Sequence, residues 1–181
     1  MSIIVRSAAS EDAALLHVLA ADTFGLACPA GTAQADIDDF IARHLSAERF
    51  VDYLADAARV LLIALADGVP AGYTMLVFGD PIDAEPQDPD VAAAVLTRPT
   101  AELSKVYVRP EYHGRGIAAR LMAASVNAAR DRAVASVWLG VNQHNARANR
   151  FYEKSGFARV GTKRFRLGGR WEDDFVRELR L

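Results

Sequence analysis

At 181 residues and 19.6 kDa the chain has the size of one domain, residues 1–181. Apolar residues make up 51% and charged residues 24%, enough to bury a core, which excludes a disordered chain. The formal net charge of −2 argues against general nucleic-acid binding, which relies on a basic surface.

The opening MSIIVRSAASEDAALL has no basic start followed by an apolar block, so no signal peptide is expected. IIVRS (3–7) reads as a short strand. Ser10 is placed to cap a helix whose apolar residues Leu15, Leu16, Val18 and Leu19 share one face. Cys28, Pro29 and Gly31 punctuate it. As the single cysteine, Cys28 excludes an internal disulfide and a multi-cysteine zinc site. Two helical stretches follow, QADIDDFIARHL and SAERFVDYLADAA. Ser46 caps the second, with Arg49 where a capping box has Glu. RVLLIALA (59–66) reads as a buried strand, and Asp67-Gly68 as a hairpin turn into a strand over Val69–Phe78. This apolar run is far shorter than the ~20 residues a membrane span needs, so a cytoplasmic protein with no membrane partner is expected.

Residues 80–100 hold four of the seven prolines and five acids (Asp80, Asp83, Glu85, Asp88, Asp90), which predicts an exposed loop with one helical turn at VAAAVL. ELSKVYV (102–108) is a strand. RPEYHGRG leads into an Ala-rich helix, IAARLMAASVNAARDRA, and VASVWLGV (134–141) is the next strand. NARANRFYEKSG is a second helix, ended by Gly156 at its C′ position. FARVGTKRFRL and DDFVRELRL are strands joined through Gly168 and Gly169. A strand–helix–strand crossover of this length implies a parallel pair, and the other strands read as hairpins, so the sheet is mixed.

Charge is divided unevenly along this order. Residues 1–102 carry 5 basic and 16 acidic side chains; residues 103–181 carry 16 basic and 7 acidic. Either the two halves pair with each other, or one half faces an anionic ligand and the other a cationic one.

Gly114-Arg115-Gly116-Ile117-Ala118-Ala119 formally matches the dinucleotide fingerprint G-x-G-x-x-A. The fingerprint needs its first glycine directly after the strand, whereas RPEYH separates Val108 from Gly114. It also needs an acid at the end of the next strand, and none lies between Asp131 and Glu153. No G-K-[ST] follows, which removes a P-loop. What the loop keeps is physical: glycines opening a helix expose backbone N–H groups, and the helix dipole favours an anion there. Further on, Asn145, Asn149 and Tyr152 fall at i, i+4 and i+7 on one helix face. Two readings stand side by side: a ligand-facing polar stripe, or an N-cap at Asn145 with Tyr152 packing beside Phe151 and Phe157.

The stretch Leu103 to Phe157 resembles the GNAT superfamily of acyl-CoA N-acyltransferases. The resemblance is carried by [QR]-x-x-G-x-[GA], here HGRGIA from His113 to Ala118, and by the Asn/Tyr block WLGVNQHNARANRFYEKSGF. The C-terminal FRLGGRWEDDFVREL looks like the PaiA-type polyamine acetyltransferases. The resemblance implies a mixed α/β fold with one central parallel strand pair and flanking helices. It implies that backbone groups of Val106, Tyr107 and Val108 bind the pantetheine arm of acetyl-CoA. The segment Gly114, Arg115, Gly116, Ile117, Ala118 and Ala119 would cradle the pyrophosphate, with His113 beside it. The basic half adds Arg115, Arg120, Arg147, Arg150 and Lys154, which either contact the phosphates or are solvated helix charge. Asn145 would hold the arm from the other side, and Tyr152 would protonate the departing thiolate. His113 departs from the usual Gln or Arg. Gly140 sits where some members carry a glutamate base.

Acetyl transfer to an amine needs the neutral amine, and deprotonating a lysine-like amine of pKa ~10.4 at pH 7 costs roughly 4.6 kcal/mol. With Gly140 lacking a side chain, Glu102 is the candidate base, and strand alternation is expected to put Glu102, Ser104, Val106 and Val108 on one face. Asp36, Asp38, Asp39, Asp52 and Asp56 form an acidic stretch that either attracts a polycation such as spermidine or is a solvated helix face. The remaining histidines, His17, His44 and His144, have no ligand spacing, so no metal is expected. Cys28 lies outside both motifs and no G-x-S-x-G occurs, so direct transfer is expected. The reading is an acetyl-CoA-dependent N-acetyltransferase acting on a small amine, with a polyamine leading. The alternatives are a protein or peptide N-terminal acetyltransferase and a non-catalytic acyl-CoA-binding sensor. No nucleic-acid partner is expected; the C-terminal strand DDFVRELRL, if exposed, offers a homodimer edge.

Overall fold

The computed structural model describes residues 1–83 and 88–181. β1 (Ile3–Ser7) opens the chain, and α1 (Ala13–Ala27) follows a 3-10 turn over Ser10–Asp12. α2 (Gln34–His44) and α3 (Ala47–Ala55) come next, the latter capped as expected by Ser46, whose hydroxyl accepts from Arg49 N. β2 (Arg59–Ala66) and β3 (Val69–Phe78) turn at Asp67 and Gly68, both at positive φ, as a primed hairpin turn requires. α4 (Pro89–Ala94), β4 (Thr100–Val108), α5 (Ile117–Asp131), β5 (Ser136–Asn142), α6 (Ala146–Lys154), β6 (Ala158–Leu167) and β7 (Arg170–Arg180) complete the order.

The strands form one sheet in the order β1-β2-β3-β4-β5-β7-β6. The parallel pair is β4 with β5, over Thr100–Glu102 and Ser136–Trp138, joined by the crossover helix α5. The other pairings are antiparallel, so the mixed sheet with one central parallel pair is the expected fold class. α1, α2 and α3 pack on one face, over Leu61, Ile63, Tyr73 and Met75. α5 and α6 pack on the other, over Leu76, Leu103, Leu139 and Val141. Leu16 and Phe50 are fully enclosed, and each such side chain contributes roughly 1.5–3 kcal/mol.

Ser10 does not cap α1. Its hydroxyl turns to Glu11 Oε2, while the Asp12 carboxylate accepts from Ala9 N at 2.8 Å and from two nitrogens of Arg6. The Arg6 guanidinium holds the Asp12 carboxyl below its usual range.

The stretch 80–100 is not a free loop. Asp88 caps α4 by accepting from Val91 N, Pro89 sits in its first turn, and Val91 and Val95 are buried against Trp138 and Val176. Gly161 on β6 admits this helix, since a Cβ there would come within 2.6 Å of Ala94 Cβ. Residues 84–87, with Glu85, lie outside the described residues.

β7 is not an exposed edge either. It lies inside the sheet between β5 and β6, so its backbone groups on both sides are already paired and offer no edge to a second copy.

β4 carries the irregularity that shapes the site. Leu103 pairs with Leu76 and Lys105 with Met75, which leaves Ser104 as the extra residue of a β-bulge. The alternation expected to align Glu102, Ser104, Val106 and Val108 is broken there. Glu102, Lys105 and Tyr107 share the face covered by α1, α2 and α3, because their partners Val77, Met75 and Tyr73 belong to that core. Leu103, Val106 and Val108 face α5.

Tyr73 lies at the centre of the first core, its hydroxyl buried with no hydrogen-bond partner among the described residues. An unpaired buried hydroxyl costs about 1–3 kcal/mol. In urea titration Tyr73→Phe is expected to leave the unfolding free energy unchanged or raise it by about 1 kcal/mol; a loss of more than that would show that the hydroxyl is satisfied.

Candidate active site

β4 and β5 separate beyond Glu102 and Trp138, where their pairing ends. The separation leaves one edge of β4 open while β3 pairs the other. An extended chain entering this gap would meet strand backbone to pair with. Of the three residues expected to offer it, Val106 and Tyr107 line the cavity at the gap, and the Val108 carbonyl accepts from His113 Nε2 at 2.8 Å.

The loop after β4 turns into α5 through two left-handed glycines. Gly114 and Gly116 have φ of +76° and +85°, values a side chain would strain. A Cβ at Gly114 would meet nothing within 4 Å, so the open side of the loop has room for a ligand. Gly116 is the N-cap and brings no capping side chain. The first N–H groups of α5, at Ile117, Ala118 and Ala119, therefore lack intrahelical partners, and the helix dipole favours an anion in front of them. Arg115 and Arg120 are exposed nearby. The His113 ring is engaged within the protein. Arg147 Nη1 donates to its Nδ1 at 2.8 Å, so Nε2 carries the proton given to Val108 O. His113 thus fastens the loop to β4 and α6.

Asn145 does cap α6, its Oδ1 accepting from Ala148 N at 3.1 Å, and it also lines the cavity, its amide nitrogen making no hydrogen bond among the described residues. Asn149 is buried and internal: it donates to the carbonyls of Asn142 and Asn145 and accepts from Arg177 Nε, all at 3.0 Å. Arg177, its side chain only 4% exposed, also donates to Phe157 O and to Glu153 Oε1. This network fixes α6 on β7 and so positions Tyr152. Tyr152 lines the cavity, and its hydroxyl has no hydrogen bond among the described residues. Lys154 is exposed at the far end of α6 and does not line the cavity.

A cavity of about 500 Å³ opens where the gap meets the face covered by α1, α2 and α3. Phe24, Phe40 and Tyr53 line it together with Lys163, Phe165 and Arg166 of β6, Phe40 meeting Phe165 edge-on at 5.9 Å. Glu102, Lys105 and Tyr107 enter it from β4, Gly140 and Asn142 from β5, and Glu172 and Asp174 from β7.

The sequence pattern of the Acetyltransferase (GNAT) family matches residues 27–157, which takes in the gap, the glycine loop and α6. The chain belongs to the GNAT acetyltransferase family. It is an acetyl-CoA-dependent acyltransferase. An uncharacterized N-acetyltransferase of Mycobacterium tuberculosis is 46% identical over 170 residues, covering 93% of this chain and 98% of the relative. The PaiA N-acetyltransferase of Thermoplasma acidophilum, solved in complex with coenzyme A, shares the fold with a TM-score of 0.78 at 21% identity, covering 100% of both chains. A ribosomal-protein-alanine N-acetyltransferase of Brucella melitensis superposes with a TM-score of 0.69 at 23% identity, covering 98% of this chain and 99% of that one.

At Gly140 this GNAT chain lacks a strand carboxylate, and another strand brings one. A Cβ at Gly140 would meet Lys163 Cε at 2.6 Å and Asp174 Oδ2 at 3.4 Å. The Lys163 side chain fills the space toward which a side chain at 140 would point, and the Asp174 carboxylate on β7 lies at its edge. Burial pushes the Asp174 carboxyl up to about 6; Lys163 opposes the rise, and Glu172 and Asp173 add to it. Burial also pushes the Tyr152 phenol up to about 12, so it stays protonated, and the Cys28 thiol up to about 11, which leaves it a poor nucleophile. Asp174 was not singled out from sequence. The signal was there: alternation puts Glu172 and Asp174 on one strand face with the buried Val176.

The acids Asp36, Asp38, Asp39, Asp52 and Asp56 do not line this cavity. Asp39, Asp52 and Asp56 pair with Arg43, Arg49 and Arg59, Asp38 accepts from Gln34, and Asp36 sits against Gly168. Among the described residues no cluster of His, Cys, Asp or Glu is placed to hold a metal ion, and no helix is long and apolar enough to cross a membrane.

The glycine loop can be tested apart from chemistry. Gly114→Ala meets no steric obstacle, so the fold is expected to survive a left-handed strain of about 1–2 kcal/mol. Calorimetry should nevertheless show coenzyme A affinity weakened about tenfold or more, because the added methyl stands where the phosphate approaches. Unchanged affinity would place the pyrophosphate elsewhere.

Proposed function

We propose that the protein transfers the acetyl group of acetyl-CoA directly to a primary amine of a small acceptor. The observation that carries this reading is the pairing of a raised carboxyl, Asp174, with a protonated phenol, Tyr152, at one cavity beside the open edge of β4. The residues present suit the donor: the open strand edge fits an extended amide-bearing arm, and the uncapped α5 with its two open glycines fits a pyrophosphate. When bound, acetyl-CoA supplies an activated acetyl group on a thiol leaving group.

In this reading the backbone of Val106 and Tyr107 and the Asn145 amide hold the arm. The N–H groups of Gly114 and of Gly116 to Ala119, with the Arg115 side chain, hold the phosphates; the Arg115 N–H is given to Tyr112 O. Asp174 takes the proton of the incoming ammonium; it is ionised at neutral pH yet more basic than an ordinary carboxylate. Glu102, the base expected from sequence, enters the same cavity from β4 and is a second carboxylate beside the acceptor. Tyr152 donates to the departing sulfur. The poorly nucleophilic Cys28 favours direct transfer over an acyl-enzyme.

Free thiol released from acetyl-CoA over an amine panel tests this. The panel holds spermidine, spermine, amino acids, an aminoglycoside and short peptides. Turnover of one small-amine class is expected, and the spermidine-like acceptor suggested by the PaiA likeness is one of them. Turnover of peptides alone would make the protein an N-terminal acetyltransferase. Tight acetyl-CoA binding without release on any amine would make it an acyl-CoA sensor.

A further inference from the structure

Lys105 is a cation that makes no ion pair among the described residues. The bulge at Ser104 turns its side chain onto the cavity face. Among the described residues its ammonium has no hydrogen bond and no ion pair; its recorded contact is the Tyr53 ring, with the centroid 5.8 Å away. Of the cations around it, Arg59 is held by Asp56 at 2.9 Å, Lys163 lies by Asp174 and the Trp138 ring without an ion pair among the described residues, and Arg166 donates to Gly168 O. Glu102 acts on Lys105 electrostatically but makes no ion pair with it. Burial pulls the Lys105 pKa down to about 8; Glu102 opposes the fall and Arg59 adds to it. That is the signature of a charge enclosed without its counter-ion.

The cavity is therefore polar in the literal sense. Asp174 and Glu172 stand on β7 at one side; Lys105 stands on β4 at the other, beside α3, with Glu102 on the same strand. β5 lies between these strands, so their backbones are about 10 Å apart or more at ordinary sheet spacing. An acceptor with an amine at one end and an anion at the other would satisfy both. On β4 a single ammonium, with the adjacent Arg59 tied to Asp56, suits a carboxylate better than a phosphate.

We propose that Lys105 forms a carboxylate subsite, so that the acceptor is amino-acid-like, bearing a carboxylate together with the amine that is acetylated. This rests on the transferase reading above and narrows its substrate class.

Two pairs of acceptors that differ by the carboxylate test it: lysine against cadaverine, and 4-aminobutyrate against butylamine. Wild type is expected to favour a carboxylate-bearing member at least tenfold in kcat/KM. Lys105→Met should erase that preference by raising KM for the acid, leaving the plain amine unchanged, and Lys105→Arg should keep it. A preference for the plain amines, or a preference that survives Lys105→Met, would overturn the subsite while leaving the transferase intact. Calorimetry supplies a readout free of turnover. The coenzyme A-loaded protein should bind 4-acetamidobutyrate more tightly than N-butylacetamide, and only when a cation stands at 105. Equal binding of the two would overturn the proposal, whereas failure of the transferase reading alone would show as absent thiol release.

Discussion

Tyr152→Phe is expected to lower kcat by about 10²- to 10³-fold while leaving coenzyme A affinity within about twofold. The substitution removes one oxygen and keeps the ring, which packs edge-on to Phe157 at 6.0 Å and beside Phe151 at 5.4 Å. α6 should therefore stay in place, held by Arg177 through Asn149 and Glu153. The environment also defines what the phenol does. Its pKa of about 12 lies about 3.5 units above the ~8.5 of a thiol, so complete proton transfer to a thiolate is uphill by roughly 5 kcal/mol. Its contribution is a hydrogen bond to charge developing on sulfur, which gains strength in a dry site. A kcat within about twofold of wild type, measured with saturating acetyl-CoA, would move the donor role to another group.

Asp174→Asn carries the second large effect, about 10²-fold or more in kcat/KM at pH 7–8. The same carboxyl should set the acid limb of the pH profile, activity falling as pH drops below about 6, the value to which burial raises it. The groups that face it are Lys163 from β6, Glu172 and Asp173 from β7 and Tyr107 from β4. Glu102→Gln separates the two carboxylates: it should raise KM for the acceptor and leave that limb in place. Asp174 also has a stability signature. Its folded pKa lies above the ordinary 3.8, so its stabilising effect is full at low pH and is lost as pH rises through about 6. Above that pH the ionised, buried carboxylate costs up to roughly 3 kcal/mol. Asp174→Asn should therefore raise Tm relative to wild type at pH 8 more than at pH 4. A slow enzyme with no such pH-dependent gain would mean that Asp174 is not the raised carboxyl.

Local signals were legible in the sequence, and contacts made across the sheet were not. The glycine loop, the crossover helix and the parallel pair are written in adjacent residues, from Glu102 to Val141, and each stands where its chemistry implies. The bulge at Ser104 is different. Nothing in ELSKVYV marks it, because the extra residue is defined by β3, whose Met75 and Leu76 pair with Lys105 and Leu103. It decides that Lys105 and Tyr107, not Val106 and Val108, share the cavity face with Glu102. Asp174 reaches Gly140 because β7 inserts between β5 and β6, an order no hairpin pattern reveals. The same insertion removes the C-terminal strand as a dimer edge. The helical turn at VAAAVL was legible, but its burial was not: prolines and acids suggest an exposed stretch, yet one capping Asp88 and two buried valines dock α4. The acidic helices drew attention through composition, but their charges go to local pairs, several of them exposed and worth about 0–1 kcal/mol each.

The central claim is direct transfer to an amine, and one measurement addresses it most directly. The protein is incubated with acetyl-CoA and the best acceptor of the panel, and free thiol, acetamide product and protein mass are followed together. The account predicts thiol and acetamide appearing in equal amounts, only when the acceptor is present, with no acetyl group left on the protein. Tight acetyl-CoA binding with no acceptor-dependent thiol, or acetyl groups accumulating on the protein in place of the amine, would contradict it.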